Sequence, residues 1–95
     1  MSTTTNVLVL IPAPLRRYTG GEAKVSVGGA TVAELIEALE AQHPGLRERI
    51  LDDKGAVRRF VNIFVGEDDI RFLSQLATPL TDATEVSIVP AIAGG

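Results

Sequence analysis

Thr31-Val32-Ala33-Glu34-Leu35-Ile36-Glu37-Ala38-Leu39-Glu40-Ala41-Gln42 is the stretch from which the rest of the chain is best read. Val32, Leu35, Ile36 and Leu39 fall at i, i+3, i+4 and i+7, a single apolar stripe, while Glu34, Glu37 and Glu40 are placed to face water. Thr31 opens the helix as a capping box: its hydroxyl accepts the N–H three residues on, and Glu34 reaches back. Pro44 disfavours helical geometry at His43, so the helix is expected over about 31–43.

Outward from the helix, both flanks read as strands. Upstream, Asn6 to Ile11 is an unbroken apolar run closed by Pro12 and Pro14, the pattern of a strand in the middle of a sheet. Arg16 to Glu22, with Gly20-Gly21, reads as turn material. In Ala23-Lys24-Val25-Ser26-Val27, Val25 and Val27 share one face and Lys24 and Ser26 the other, a half-buried strand that makes a hairpin with the first. Downstream, Leu46, Ile50 and Leu51 allow one or two short amphipathic turns before Asp52-Asp53-Lys54-Gly55. Arg59-Phe60-Val61-Asn62-Ile63-Phe64-Val65 is a third strand, closed by a turn at Gly66-Glu67-Asp68-Asp69. Ile70, Phe72, Leu73 and Leu76 predict a chain that crosses the core in short pieces. Thr81-Asp82-Ala83-Thr84 reads as a turn and Glu85-Val86-Ser87-Ile88-Val89-Pro90 as the last strand.

The order is hairpin, helix, strand, irregular crossing, strand. One helix must cover one face of a sheet that brings the first and last strands together. This is an α+β arrangement of the ubiquitin-like β-grasp kind, with a mixed sheet of four to five strands; the pairing order is taken from that likeness, since periodicity does not show it. Ninety-five residues make one domain, expected over 1–90, with a flexible tail over 91–95. Apolar residues are 45% of the chain, a normal share for a folded domain, so disorder is not expected.

Composition removes most chemistries. With no Cys there is no thiolate nucleophile, thiolate metal site or disulfide. The single His, His43, sits at a helix C-terminus, where the helix dipole accounts for it. Glu67-Asp68-Asp69 lacks the alternating ligand spacing of a calcium loop and reads as a solvated turn. Neither Gly20-Gly21 nor Gly28-Gly29 belongs to a phosphate-binding loop. Net charge is −3, and Arg16-Arg17 and Arg58-Arg59 are isolated basic pairs, so a nucleic-acid footprint is not expected. The apolar run before Pro12 is too short for a signal-peptide core or a membrane span, and a cytoplasmic location is the expectation.

What remains is the ending, Ala91-Ile92-Ala93-Gly94-Gly95. Two terminal glycines arise by chance in about one chain in two hundred, so the pair alone is a weak signal, and a frayed end is its plain alternative. Its position after a strand gives it more meaning. Five extended residues reach roughly 16–18 Å. Glycine has no Cβ, so such an end is narrow enough for a partner's catalytic tunnel and its carbonyl is open to attack from either face. The α-carboxyl is an anion at neutral pH. A poor electrophile in that state, it needs adenylation by an ATP-dependent partner before a sulfur donor can displace AMP. Such a carrier needs no catalytic side chain of its own.

The strand Arg59–Val65, the stretch Glu67-Asp68-Asp69-Ile70-Arg71-Phe72 and the ending Val86–Gly95 resemble the ThiS and MoaD family of ubiquitin-like sulfur carriers, and within it the CysO branch. The resemblance extends from about Val7 to Gly95 and is loose around Asp52 to Val57. It implies a protein that is not itself an enzyme, with a thiocarboxylate on Gly95 next to Gly94. It also implies an E1-like adenylating partner that uses ATP and zinc, and sulfur delivery to a PLP-dependent cysteine synthase acting on O-phosphoserine, or to another biosynthetic enzyme, including those of secondary metabolism. A JAMM-type metalloprotease would then restore the Gly-Gly end. The chain itself is expected to hold no metal and no cofactor.

Partner contacts are expected at Ala91, Ile92, Ala93, Val89, Phe64 and Phe60. Phe60, Asn62 and Phe64 alternate with Val61, Ile63 and Val65, and Val86 and Ile88 with Ser87 and Val89, so both strands are apolar on both faces. Either the outer face is an interface, or Leu46 to Leu51 covers it; the pattern leaves both open. Two other functions share the fold: a small subunit of molybdopterin synthase, and a plain interaction module with an inert terminus. The sulfur acceptor is not named by these residues.

Overall fold

Valine and isoleucine at every second position build the sheet, because strand side chains alternate between faces. The structure, a computed structural model, describes residues 6–59, 61–80 and 85–90. Its strands are β1 (Asn6–Leu10), β2 (Lys24–Gly28), β3 (Val61–Val65), β4 (Asp68–Asp69) and β5 (Glu85–Pro90), in the order β2-β1-β5-β3-β4. β1 pairs antiparallel with β2 through Val7↔Val27 and Val9↔Val25, and parallel with β5 through Val9↔Val86. β3 pairs antiparallel with β5 through Ile63↔Ile88 and with β4 through Phe64↔Asp69. This is the expected β-grasp roll, with five strands.

On the inner face Val7, Val9, Val25, Val27, Val61, Ile63, Val86 and Ile88 are all buried. They share one core with the stripe Val32, Leu35, Ile36 and Leu39 of helix α1 (Val32–Gln42), no member of which is more than 1% exposed. The helix start is fixed as its spacing predicts. Thr31 Oγ1 accepts the Glu34 N–H at 3.3 Å, and Glu34 Oε1 reaches back to accept the Ala30 N–H at 3.0 Å. Gly29 allows this entry: a Cβ there would lie 2.8 Å from the Leu35 backbone nitrogen. The segment returning to β5 locks onto the same end, with Val32 N–H donating to the Thr78 carbonyl and Leu80 N–H to the Ala30 carbonyl.

After Pro44 the chain turns into a short second helix, α2 (Leu46–Ile50), whose Leu46 and Ile50 are fully buried. Here one expectation fails. Glu40 does not simply face water: it is half-buried, and its carboxylate accepts the Gly45 N–H at 3.2 Å and the Arg47 N–H at 2.9 Å. The first N–H groups of α2 have no partner within their own helix, and an anion satisfies them and the helix dipole together. Gly45 has φ +105°, and a Cβ there would meet the Tyr18 ring at 2.9 Å.

Four further expectations change. Asp68-Asp69 is not a free turn but a two-residue edge strand on β3. Arg16 to Glu22, read as turn, begins inside a 3₁₀ helix over Ala13–Tyr18 that buries Leu15. Of the residues expected to cross the core, Ile70 is buried and Leu76 partly so, but Phe72 is 85% and Leu73 45% exposed. Ile70, Phe72 and Leu76 belong to two tight 3₁₀ turns, Ile70–Phe72 and Gln75–Ala77, with Leu73 capping the first, and their pitch cannot turn every apolar side chain inward. The strand expected from Arg59 is assigned from Val61, and Phe60 lies outside the described residues. The turn expected at 81–84 and the tail expected at 91–95 lie outside them as well. No helix among the described residues is long and apolar enough to cross a membrane.

The turn between α2 and β3 is held by one carboxylate. Asp52 Oδ1 accepts the Lys54 N–H at 2.8 Å and the Ala56 N–H at 3.0 Å. These two bonds, the Ala56 one first, hold its pKa below the usual carboxylate value.

Two measurements check this account. Leu39→Ala removes a side chain with no exposed surface and is expected to lower unfolding free energy by about 2–5 kcal/mol in urea titration. For Asp52 the folded pKa lies below the unfolded one, so its contribution is complete above the unfolded value and is lost as pH falls through the folded value. The stability gap between wild type and Asp52→Asn should therefore close on acidification; a gap independent of pH would show that the charge on Asp52 is not what holds the turn.

Candidate functional site: the root of the C-terminal tail

β5 carries the chain toward residue 91 along the centre of the sheet. Its two neighbours do not release it together. β1 follows it only to Leu10↔Ser87, because Pro12 prevents further pairing, whereas β3 follows it to Val61↔Pro90. The last turn of the strand is thus held firmly on one side and open on the other. Along the open side runs a groove of about 300 Å³, walled by Leu10, Pro12, Val89 and Pro90 with Arg16 at its rim. Arg16 is fixed there by a hydrogen bond from its Nε to the Ile11 carbonyl at 3.0 Å.

The outer face of the sheet continues from this groove. Leu8, Leu10 and Phe64 are half-buried and Val89 is 43% exposed. Val89 lies opposite Asn62 and Phe64 opposite Ser87, so the two are diagonal neighbours on one face. Leu46 to Leu51 does not cover this face: Leu46, Ile50 and Leu51 are buried in the core with α1, and Val89 is left exposed.

The structure therefore brings together two of the expected partner-contact residues, Val89 and Phe64. Ala91, Ile92, Ala93, Gly94, Gly95 and Phe60 lie outside the described residues. His43 serves as the C-cap of α1, its backbone N–H donating to the Leu39 carbonyl at 2.7 Å. Among the described residues, no three His, Asp or Glu side chains gather as a metal site would require.

Sequence reasoning missed two features. Tyr18 sits between Arg17 and Arg49, whose guanidinium carbons lie 5.9 and 5.5 Å from its ring centre, and its hydroxyl accepts from Arg49 Nε at 2.8 Å. On the inner side of the tail root, Arg58, Arg59 and Arg71 line a pocket of about 280 Å³ whose floor includes Val61, the partner of Pro90. Arg58-Arg59 read as a solvated pair because Arg71 reaches them only through the β3–β4 turn. A recognised β3–β4 hairpin would have been the signal for it.

With this geometry in view, the likeness to known proteins is informative. The ThiS family model matches residues 9–95, nearly the whole chain. The sulfur carrier protein CysO of Mycobacterium tuberculosis is 47% identical over 92 residues, covering 95% of this chain and 99% of that one. The crystal structure of Mycobacterium tuberculosis CysO superposes with a TM-score of 0.88 at 45% identity, over 92% of this chain and all of that one. A chain of the Amycolatopsis orientalis BexX/CysO complex superposes equally well, TM-score 0.88 at 40% identity, over 94% of this chain and 99% of that one. Fold and sequence agree along nearly the full length: this chain is a member of the ThiS family.

Proposed function

We propose that this chain, a sulfur carrier by family, holds its sulfur as a thiocarboxylate on Gly95. One observation supports the reading above others: likeness to CysO proteins runs the length of the chain, and the described fold supplies a firmly anchored strand that points at the tail.

The chemistry follows from the carboxylate. A Gly95 carboxylate oxygen attacks the α-phosphorus of ATP on an E1-like partner, and pyrophosphate leaves. A sulfur nucleophile then attacks the acyl-adenylate carbon and AMP leaves, giving the thiocarboxylate. The protein's own contribution is presentation. Gly94 and Gly95 keep the end narrow and unhindered, residues 91–93 span the distance from the sheet, and the outer face with Val89 and Phe64 receives the partner. Anchoring the tail root lowers the entropy lost when the end enters a catalytic tunnel.

The partners that go with this reading are the adenylating enzyme, a sulfur-accepting synthase and a metalloprotease that regenerates the end. We place the exchange in the cytoplasm, where ATP is available. The Amycolatopsis carrier forms a complex with BexX, in keeping with a carrier that docks on a separate protein. The molybdopterin-synthase reading is the weaker one: the relative of that name is 22% identical against 47% for CysO.

Incubated with ATP, an E1-like enzyme and a sulfur donor, the protein should gain the mass of one oxygen-to-sulfur exchange at Gly95. One residue added after Gly95 should abolish the gain, and equal charging of the extended form would overturn the reading. Val89→Glu should leave the urea midpoint nearly unchanged, within about 0.5 kcal/mol as expected for an exposed site. The same variant should lower kcat/KM for charging about tenfold or more, the loss expected from a charge set against a desolvated contact.

A further inference from the structure

The inner side of the tail root carries a charge pattern that the carrier chemistry does not require. Arg58, Arg59 and Arg71 line one pocket with Val61, and Val61 pairs directly with Pro90. The chain beyond Pro90 therefore starts about one strand spacing, ~5 Å, from the pocket floor. In a chain of net charge −3, three arginines against the single Asp69 leave the lining of this pocket positive.

Arg58 and Arg71 are held in place by carbonyls. Arg71 Nη2 donates to the Arg59 carbonyl at 3.3 Å and to the Val61 carbonyl at 3.4 Å. Arg58 Nε donates to the Glu48 carbonyl at 2.8 Å. Carbonyls orient a guanidinium without cancelling its charge. Two carboxylates lie near and keep their charge: Asp69, which accepts the Arg71 backbone N–H and lines the same pocket, and Asp52, which accepts the Lys54 and Ala56 N–H groups and feels the Arg58 charge. Among the described residues the one ion pair is Arg47 with Glu37, elsewhere on the surface.

We propose that Arg58, Arg59 and Arg71 form an electrostatic docking surface for an acidic patch on the enzyme that activates the tail. The inference rests on the carrier reading and adds a partner chemistry to it. Arginine forks suit carboxylates, with which they form paired hydrogen bonds. Placed at the tail root, they guide the end toward its catalyst as the two surfaces meet, acting on encounter more than on the chemical step. All three arginines are exposed, which fits a protein surface better than a single buried anion.

The experiment measures KM and kcat for adenylation of the full chain by the E1-like enzyme of its own source organism. Sodium chloride is varied from about 25 to 300 mM, a range over which screening shortens several-fold. Wild-type KM should rise about tenfold across it, with kcat unchanged, as for steered association. The double variant Arg58→Gln, Arg59→Gln leaves Arg71 and its carbonyl contacts in place. Its urea midpoint should match wild type, its low-salt KM should be about tenfold higher, and its response to salt should be flat. Wild-type turnover with a salt-independent KM, or a double variant with wild-type KM, would reject the docking surface while leaving the carrier reading standing. Absence of any wild-type turnover would reject both.

Discussion

The position of β5 is the constraint on which the structure depends. It is hydrogen-bonded to a parallel neighbour on one side and an antiparallel neighbour on the other, and Val86 and Ile88 beneath it are buried in the core under α1. Up to Ser87 the strand is fixed on three sides, and from there to Pro90 β3 alone continues the ladder. Every other element either makes that position possible or uses it. β1 and β3 supply the ladders, α1 covers the inner face, and Pro12 withdraws β1 so that the strand ends beside an open groove.

The groove and the arginine pocket divide the surroundings of the tail root by chemistry. On the outer side lie Leu10, Pro12, Val89 and Pro90, apolar with one arginine at the rim. On the inner side lie Arg58, Arg59 and Arg71 over Val61. An apolar contact contributes area removed from water, while charge contributes orientation before contact. A partner that reads both sides meets the tail in one orientation. This division grows out of sheet register: a one-residue slip of β3 would turn Val61 and Ile63 outward and Phe64 inward.

The elements that sequence made legible are those set by local periodicity. The α1 stripe, the Thr31 cap, the stop at Pro44 and the alternating strands all follow from spacing of 3.6 or 2 along the chain. What escaped depends on register between distant segments. Glu40 looked solvated because its helix position is polar; only the return of the chain through Gly45 places the N–H groups of α2 within its reach. Phe72 and Leu73 looked like core residues because they are apolar, but a 3₁₀ turn at a sheet edge leaves them outside. Arg71 joins Arg58 and Arg59 only once β4 folds back on β3. Of the site, Val89 and Phe64 were named from alternation within their own strands, but that they share a face needed the β3–β5 register, and the groove needed the unequal lengths of the two ladders around β5.

The parallel pairing of β1 with β5 also bears on how the molecule is made. These strands meet across most of the chain, and β5 is the last of the five to be synthesised. Until it arrives, β1 and β3 lack their shared neighbour and the sheet stays in two halves. Contacts this remote in sequence carry a large loop-closure cost and form late in folding. A nascent chain therefore cannot assemble its central strand early and add the rest afterwards. A chain cut short before β5 lacks the strand that joins the two halves of its sheet.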